Sequence, residues 1–149
     1  MNEYFEKILQ AEVYEVAKKT PLEKAHYLSN SLNNEIFLKR EDLQDVFSFK
    51  IRGAYNKMSK LTKSEIAKGV ITSSAGNHAQ GVALSALKLN CQATILMPIT
   101  TPLVKINAVK NLKAKVILFG DNYDETYKEA IRISQENNLC FIHPLMIQT

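Results

Sequence analysis

The sequence lacks most of the patterns from which a ligand is usually read. Its two cysteines, Cys91 and Cys140, are far apart and have no metal-ligand spacing. Buried thiols in a reducing cytosol, and hence a cytoplasmic location, are the expectation. His26 and His143 have no partners at metal or triad spacing, so no metal site is expected. Neither G-x-G-x-x-G nor a glycine followed by Lys and Ser/Thr occurs, which excludes the two commonest nucleotide cradles. The net charge of +4 comes from lysines scattered singly, such as Lys57, Lys60, Lys63 and Lys68. No basic run is interleaved with aromatics, so these read as solvated helix faces and no nucleic-acid partner is expected. MNEYFEKILQ is acidic and amphipathic, unlike a signal peptide, and no apolar run approaches the length of a membrane span. There is no internal repeat, low-complexity segment or clear linker.

What is present suits a globular core. The 149 residues are 46% hydrophobic and 23% charged, enough for one ordinary domain or part of a larger one. Apolar spacing predicts a helix through EYFEKILQAEVYEVA, carried by Phe5, Ile8, Leu9, Val13 and Val16 and ended by Thr20-Pro21. A short helix or turn is expected over Glu23 to Leu32, and a weak strand over Glu35 to Lys39. From Ser48, a well-placed N-cap, Ile51, Ala54, Tyr55, Met58 and Leu61 recur at helical spacing. Strands are expected at Val70 to Thr72, at ATILM (93–97), at KVILF (115–119) and at LCFI (139–142). Between them lie helices over Val82 to Leu89, from Pro102 with Thr101 as N-cap, and over Tyr123 to Gln135. Continuously apolar strands alternating with helices predict an α/β fold: an open parallel sheet covered by helices on both faces.

In such sheets ligands bind at the carboxyl ends of the strands. SSAGNHAQG occupies that position between the Val70–Thr72 strand and the next helix. Its glycines allow close backbone approach, and free amides at a helix start suit an anion. On spacing alone, a tight structural strand-to-helix turn is the favoured reading of the loop. The other candidate is Lys50, in VFSFKIRGAY. The positive end of a helix repels a cation, and Phe47, Phe49 and Ile51 are apolar, so the surroundings are expected to favour the neutral amine that carbonyl chemistry requires.

The long motifs FLKREDLQDVFSFKIRGAYNKM and GVITSSAGNHAQGVALSA resemble the threonine dehydratase family, pyridoxal-phosphate enzymes of the tryptophan-synthase-β-like fold. VYEVAKKTPLEKAHYLSNSLNNEIFLKRED, MPITTPLVKINAVK and DNYDETYKEA extend the likeness over nearly the whole chain. The resemblance implies pyridoxal 5′-phosphate as cofactor and Lys50 as the catalytic lysine that carries it as a Schiff base. It places Phe49 against the cofactor ring and Asn77 on its phenolic oxygen, with Ser74, Ala75, Gly76, Asn77 and His78 around the substrate carboxylate. It implies conversion of L-threonine, and of L-serine by the same steps, in isoleucine biosynthesis or threonine catabolism, by a homo-oligomer. A serine/threonine dehydratase or a serine racemase relative are the alternatives. Residues 1–45 correspond to the start of the family's large domain and 46–149 to its small α/β domain.

The sequence also departs from that family. Its enzymes are more than twice as long. The glycine-rich phosphate loop, the partner of the pyridine nitrogen and the rest of the large domain have no counterpart in these residues. Gly53, Gly69, Gly76, Gly81 and Gly120 are all isolated. NLKAKV (111–116) replaces a usual glycine pair, and Asp45 a usual proline. After FIHP the family continues Phe-Asp-Asp-Pro, where this chain has Leu145-Met146-Ile147-Gln148. Loss of one T from TTT GAT GAT CCN yields TTG ATG ATC C, so a one-base frameshift is expected to account for the tail. A truncated, non-catalytic remnant is therefore a further expectation for this polypeptide alone.

Overall fold

The computed structural model describes residues 3–144; the altered tail, Leu145 to Gln148, lies outside them. The N-terminal stretch is helical over α1 (Glu3–Leu9), followed by one 3-10 turn at Val13–Glu15. The expected continuous helix is broken: the part of its apolar stripe in α1 is uncovered among the described residues, whereas Val16, beyond the break, packs on Ala17, Val46 and Ile51. α1 buries no residue, and Phe5, Ile8 and Leu9 are exposed, so the packing that supplies most helix stability is missing. Beyond Pro21 come β1 (Leu22–Lys24), α2 (His26–Ser31) and β2 (Phe37–Lys39). β1 and β2 pair antiparallel as a separate ribbon, with Leu22 opposite Lys39. The helix expected over Glu23 to Leu32 is thus reduced to α2.

Next is α3 (Lys50–Met58), which buries Ile51, Ala54, Tyr55 and Met58. Its capping position is Phe49, one residue later than expected, yet the Ser48 hydroxyl still accepts from the Lys50 N–H at 3.2 Å. α4 (Lys63–Lys68) starts with a capping box: Thr62 and Glu65 satisfy each other's backbone N–H groups. The main sheet follows as β3 (Val70–Ser73), α5 (Asn77–Lys88), β4 (Ala93–Met97), α6 (Leu103–Asn111), β5 (Lys115–Leu118), α7 (Tyr123–Asn137) and β6 (Cys140–Phe141). The four strands are all parallel, in the order β5-β4-β3-β6.

Every residue of β3 and β4 is buried, as expected of strands covered on both faces. Alternation sorts their side chains. Val70 and Ile95 pack with Ala79, Val82 and Ala83 of α5 and with Ile106 of α6. Ile71 and Leu96 face Ala130 and Ile133 of α7. Lys57, Lys60, Lys63 and Lys68 are exposed, and the thiols of Cys91 and Cys140 are free. Among the described residues, no helix is long and apolar enough to cross a membrane. Thr101 does not cap α6. Pro102 holds that position, and the Thr101 hydroxyl is buried without a partner among the described residues. Lys113, in the stretch that replaces the glycine pair, has φ +65°, a left-handed conformation that glycine adopts without strain.

Two contacts fix α3. On one, α5 lies so close that a Cβ at Gly81 would be 3.1 Å from the Lys50 carbonyl oxygen and 3.2 Å from its carbon. The other is polar. The Arg52 guanidinium donates twice to Glu41, at 2.8 and 2.9 Å. Arg52 also reaches the Lys18 carbonyl, with its charge over the Tyr14 ring. Thr20 and Gln44 donate to the same carboxylate, and Tyr55 donates to Glu15.

The guanidinium of Arg52 holds the Glu41 carboxyl down to about 2, against an ordinary 4.5. Above that ordinary value the carboxylate is ionised whether folded or not, and the pairing stabilises the fold in full. As pH falls from about 4.5 to about 2 the unfolded chain takes up the proton first, and this contribution is lost. Urea midpoints of Glu41→Gln should therefore change less across that window than those of the native chain. Gly81→Ala should destabilise by about 1–3 kcal/mol, because backbone atoms of α3 would have to move. Gly53→Ala, also within a helix but with nothing within 4 Å of the added carbon, should stabilise by about 0.5–1 kcal/mol.

Candidate active site

The carboxyl ends of the strands carry the two candidate features side by side. Beyond β3 the chain turns tightly: the Ser74 N–H donates to the Leu96 carbonyl at 3.0 Å, and the Ser74 hydroxyl accepts from the Gly76 N–H at 3.2 Å. Gly76 then caps α5 with no side chain to offer. The first-turn amides of α5 therefore keep no intrahelical acceptor and present the positive end of the helix. Ser74, Ala75 and Gly76 are half-buried. Asn77, the first residue of α5, is exposed, whereas His78 is only 7% exposed.

Lys50 occupies the first turn of α3, as the helical spacing predicts, and is half-buried. Its Nζ donates to the Pro144 carbonyl at 3.2 Å and lies 5.7 Å from the centroid of the Phe49 ring. The apolar enclosure expected around it is incomplete. Ile51 is buried, but Phe47 and Phe49 are 75% and 60% exposed, because nothing among the described residues packs over that side of α3. Lys50 forms no ion pair among the described residues, unlike Lys18, Lys24 and Arg52.

Two observations bring Lys50 to the Ser74–His78 loop. Gly81, one turn into α5 from Asn77, touches the Lys50 backbone. The His78 pKa lies below the usual imidazole value, chiefly through burial, with the charge of Lys50 lowering it further. The His78 imidazole does not face the open side of the loop; its Nε2 is 3.2 Å from the Ile142 carbonyl oxygen. A ligand at the loop thus meets main-chain amides there, not this ring.

Sequence reasoning missed two participants. Ser73 Oγ, fully buried at the end of β3, has no hydrogen-bond partner among the described residues. Its only signal was the Ser-Ser pair at the strand end. The other is the segment Ile142–Pro144, whose carbonyls receive Thr72, His78 and Lys50. No local pattern marks it, since its partners are 64 to 94 residues away.

The set suits a carbonyl-bearing anion. It offers a lysine amine held, among the described residues, by an uncharged carbonyl, open amides at a helix start and room beside Gly76, where an added Cβ would meet nothing within 4 Å. These residues fit the aldehyde and ring of pyridoxal phosphate. The five isolated glycines offer no run of amides for its phosphate.

Comparison with known proteins agrees with this geometry. The chain is 57% identical over 142 residues to the biosynthetic chloroplastic threonine dehydratase of Arabidopsis thaliana, covering 95% of this chain and 24% of that protein. It spans about a quarter of the length of the curated relatives it matches. Among solved structures, processed threonine deaminase isoform 2 of Solanum lycopersicum superposes with a TM-score of 0.91 at 52% identity, covering 95% of this chain and 39% of that one. Maize serine racemase does so with a TM-score of 0.90 at 29% identity, covering 96% and 44%. The expected fold class, that of the tryptophan-synthase-β-like enzymes, holds. Residues 13–148 match the family model of pyridoxal-phosphate dependent enzymes, and with the lysine, the loop and the parallel sheet arranged as they are, the chain belongs to that family.

Proposed function

We propose that this chain provides the lysine-bearing part of a threonine dehydratase, which converts L-threonine to 2-oxobutanoate and ammonia and accepts L-serine by the same steps. The observation that carries the reading is that the Lys50 backbone packs on Gly81, one turn beyond the Ser74–His78 loop, while Lys50 Nζ and His78 Nε2 reach carbonyls of the one segment Ile142–Pro144. It is supported by identities of 54% and 57% to relatives named as threonine dehydratases. The word biosynthetic in several of those names favours a place in isoleucine formation. The similarity to maize serine racemase supports a second reading, action on serine alone.

Pyridoxal phosphate, when bound, supplies an electrophilic aldehyde and a ring that takes up the electron pair left by a departing α-proton. Lys50 would hold the cofactor through its amine, and the same amine is the base for the α-proton of the substrate. Phe49 would lie against the ring, and the Asn77 amide would donate to its phenolic oxygen. Ser74, Ala75, Gly76, Asn77 and His78 surround the substrate carboxylate at the positive end of α5, where the first-turn amides of the helix are open to it. Residues 1–45 belong to a larger domain and 46–149 form a smaller one, in keeping with the separate β1–β2 ribbon. The enzyme acts as a homo-oligomer. A cytoplasmic location fits its two free thiols, although the Arabidopsis relative is chloroplastic by name.

Borohydride reduction of the chain with pyridoxal phosphate should leave a small yield of adduct, mapped by mass spectrometry mainly to Lys50 and lost in Lys50→Ala. An adduct spread evenly over the lysines would overturn the assignment. No 2-oxobutanoate is expected from these 149 residues alone, for want of a phosphate cradle, and a colorimetric keto-acid assay measures it. The exposed Phe5, Ile8 and Leu9 of α1 should drive association, seen by light scattering as a mass above the 16.8 kDa of one chain.

A further inference from the structure

Beyond β6, the sheet ladder continues for one step, from the Ile142 N–H to the Ile71 carbonyl at 2.9 Å. Three side chains from three different elements then converge on two carbonyls of this segment. Thr72 Oγ1 of β3 donates to the Ile142 oxygen at 2.6 Å, and His78 Nε2 of α5 lies 3.2 Å from the same oxygen. Lys50 Nζ of α3 donates to the Pro144 oxygen, also at 3.2 Å. Thr72 is fully buried and Ile142 almost so, and in such dry surroundings hydrogen bonds count for more. A carbonyl oxygen only accepts, so His78 must carry its hydrogen on Nε2. Burial favours the neutral ring, outweighing the opposite pull of the Ile142 bond, and the charge of Lys50 adds to it.

We infer that His78 is a positioning residue: together with Thr72 it pins Ile142, and so fixes the Pro144 carbonyl where it receives the Lys50 amine. The inference deepens the reading of Lys50 as the reactive amine and rests on that reading only for the use to which the amine is put. Held this way, Lys50 is parked against an uncharged group two residues along the chain from the carbonyl that His78 contacts. Among the described residues its release costs one hydrogen bond and no ion pair. The role of the loop divides accordingly: the Ser74–Asn77 stretch stays open to ligand, while the His78 side chain turns inward to hold the seat of the lysine.

The test is competitive acetylation of the whole chain with a trace of acetic anhydride, without cofactor, quantified by peptide mass spectrometry. Exposed Lys60 serves as internal standard. Lys50 should acetylate more slowly than Lys60 in the native chain. Thr72→Val and His78→Leu should each raise the rate of Lys50 relative to Lys60 by about 3- to 10-fold, the range that loss of one hydrogen bond covers. His78→Gln, whose amide N–H can replace that of Nε2, should keep Lys50 slow. Far-UV circular dichroism checks the fold. Should His78→Leu fail to fold, Thr72→Val carries the test, since it removes one hydroxyl and keeps the side-chain shape. An unchanged Lys50 rate in folded Thr72→Val, or a His78→Gln chain that labels as fast as His78→Leu, would overturn the inference. No pyridoxal phosphate is present, so failure here is distinct from failure of Lys50 to take a borohydride-reduced adduct.

Discussion

The site depends on one backbone-to-backbone contact, that of α5 on the first turn of α3 at Gly81. One helix presents Lys50 and the other begins at Asn77. Each helix turns an apolar face to the other, Ala54 and Met58 toward Ala79, Val82 and Ala83. They meet closely because Gly81 has no side chain between them, and interiors packed at crystal-like density do not yield a methyl's width without moving their neighbours. The placement of the amine relative to the loop is therefore a packing result, settled before any ligand arrives.

A second, polar constraint secures α3. Arg52 and Tyr55 project from it to Glu41 and Glu15, while Gln44 bonds both the N–H and the carbonyl of Lys18. The apolar cluster in this region is small, centred on Ala17, Val46 and Ile51. Hydrogen bonds and one bidentate ion pair thus connect the N-terminal segment to the helix that bears the lysine. Charge-assisted bonds of this kind add direction as well as energy, which suits a junction whose purpose is to aim a side chain.

The sheet was readable in advance because its central strands are short, mostly apolar runs, and the bounds of β4 match ATILM residue for residue. Helices α3 and α7 followed from periodicity that the core uses. Periodicity misled at α1, where the stripe exists but has nothing to cover it. It was silent at α4, whose signal is the Thr62–Glu65 capping box rather than an apolar face. At the site, the helix start at Lys50 and the loop beyond β3 could be read from local chemistry. The partner of Lys50 could not, since the bond to Pro144 joins residues 94 positions apart, and long-range pairing leaves no trace in a local window. The apolar seal expected from Phe47 and Phe49 failed for a related reason: being apolar does not say what covers a side chain.

Gly81 also bears on how this sequence can change over generations. Whichever of the four glycine codons encodes it, every missense change of a single base installs a residue with a β-carbon. The nearest atoms to that carbon belong to the main chain of Lys50 and Ile51, which has no alternative rotamer to adopt. Every one-step change at position 81 thus presses on main chain in a way that one at Gly53, with open space beside it, does not. Gly69 shares the constraint: at φ +94° its added β-carbon would sit 2.9 Å from the Gln92 carbonyl oxygen.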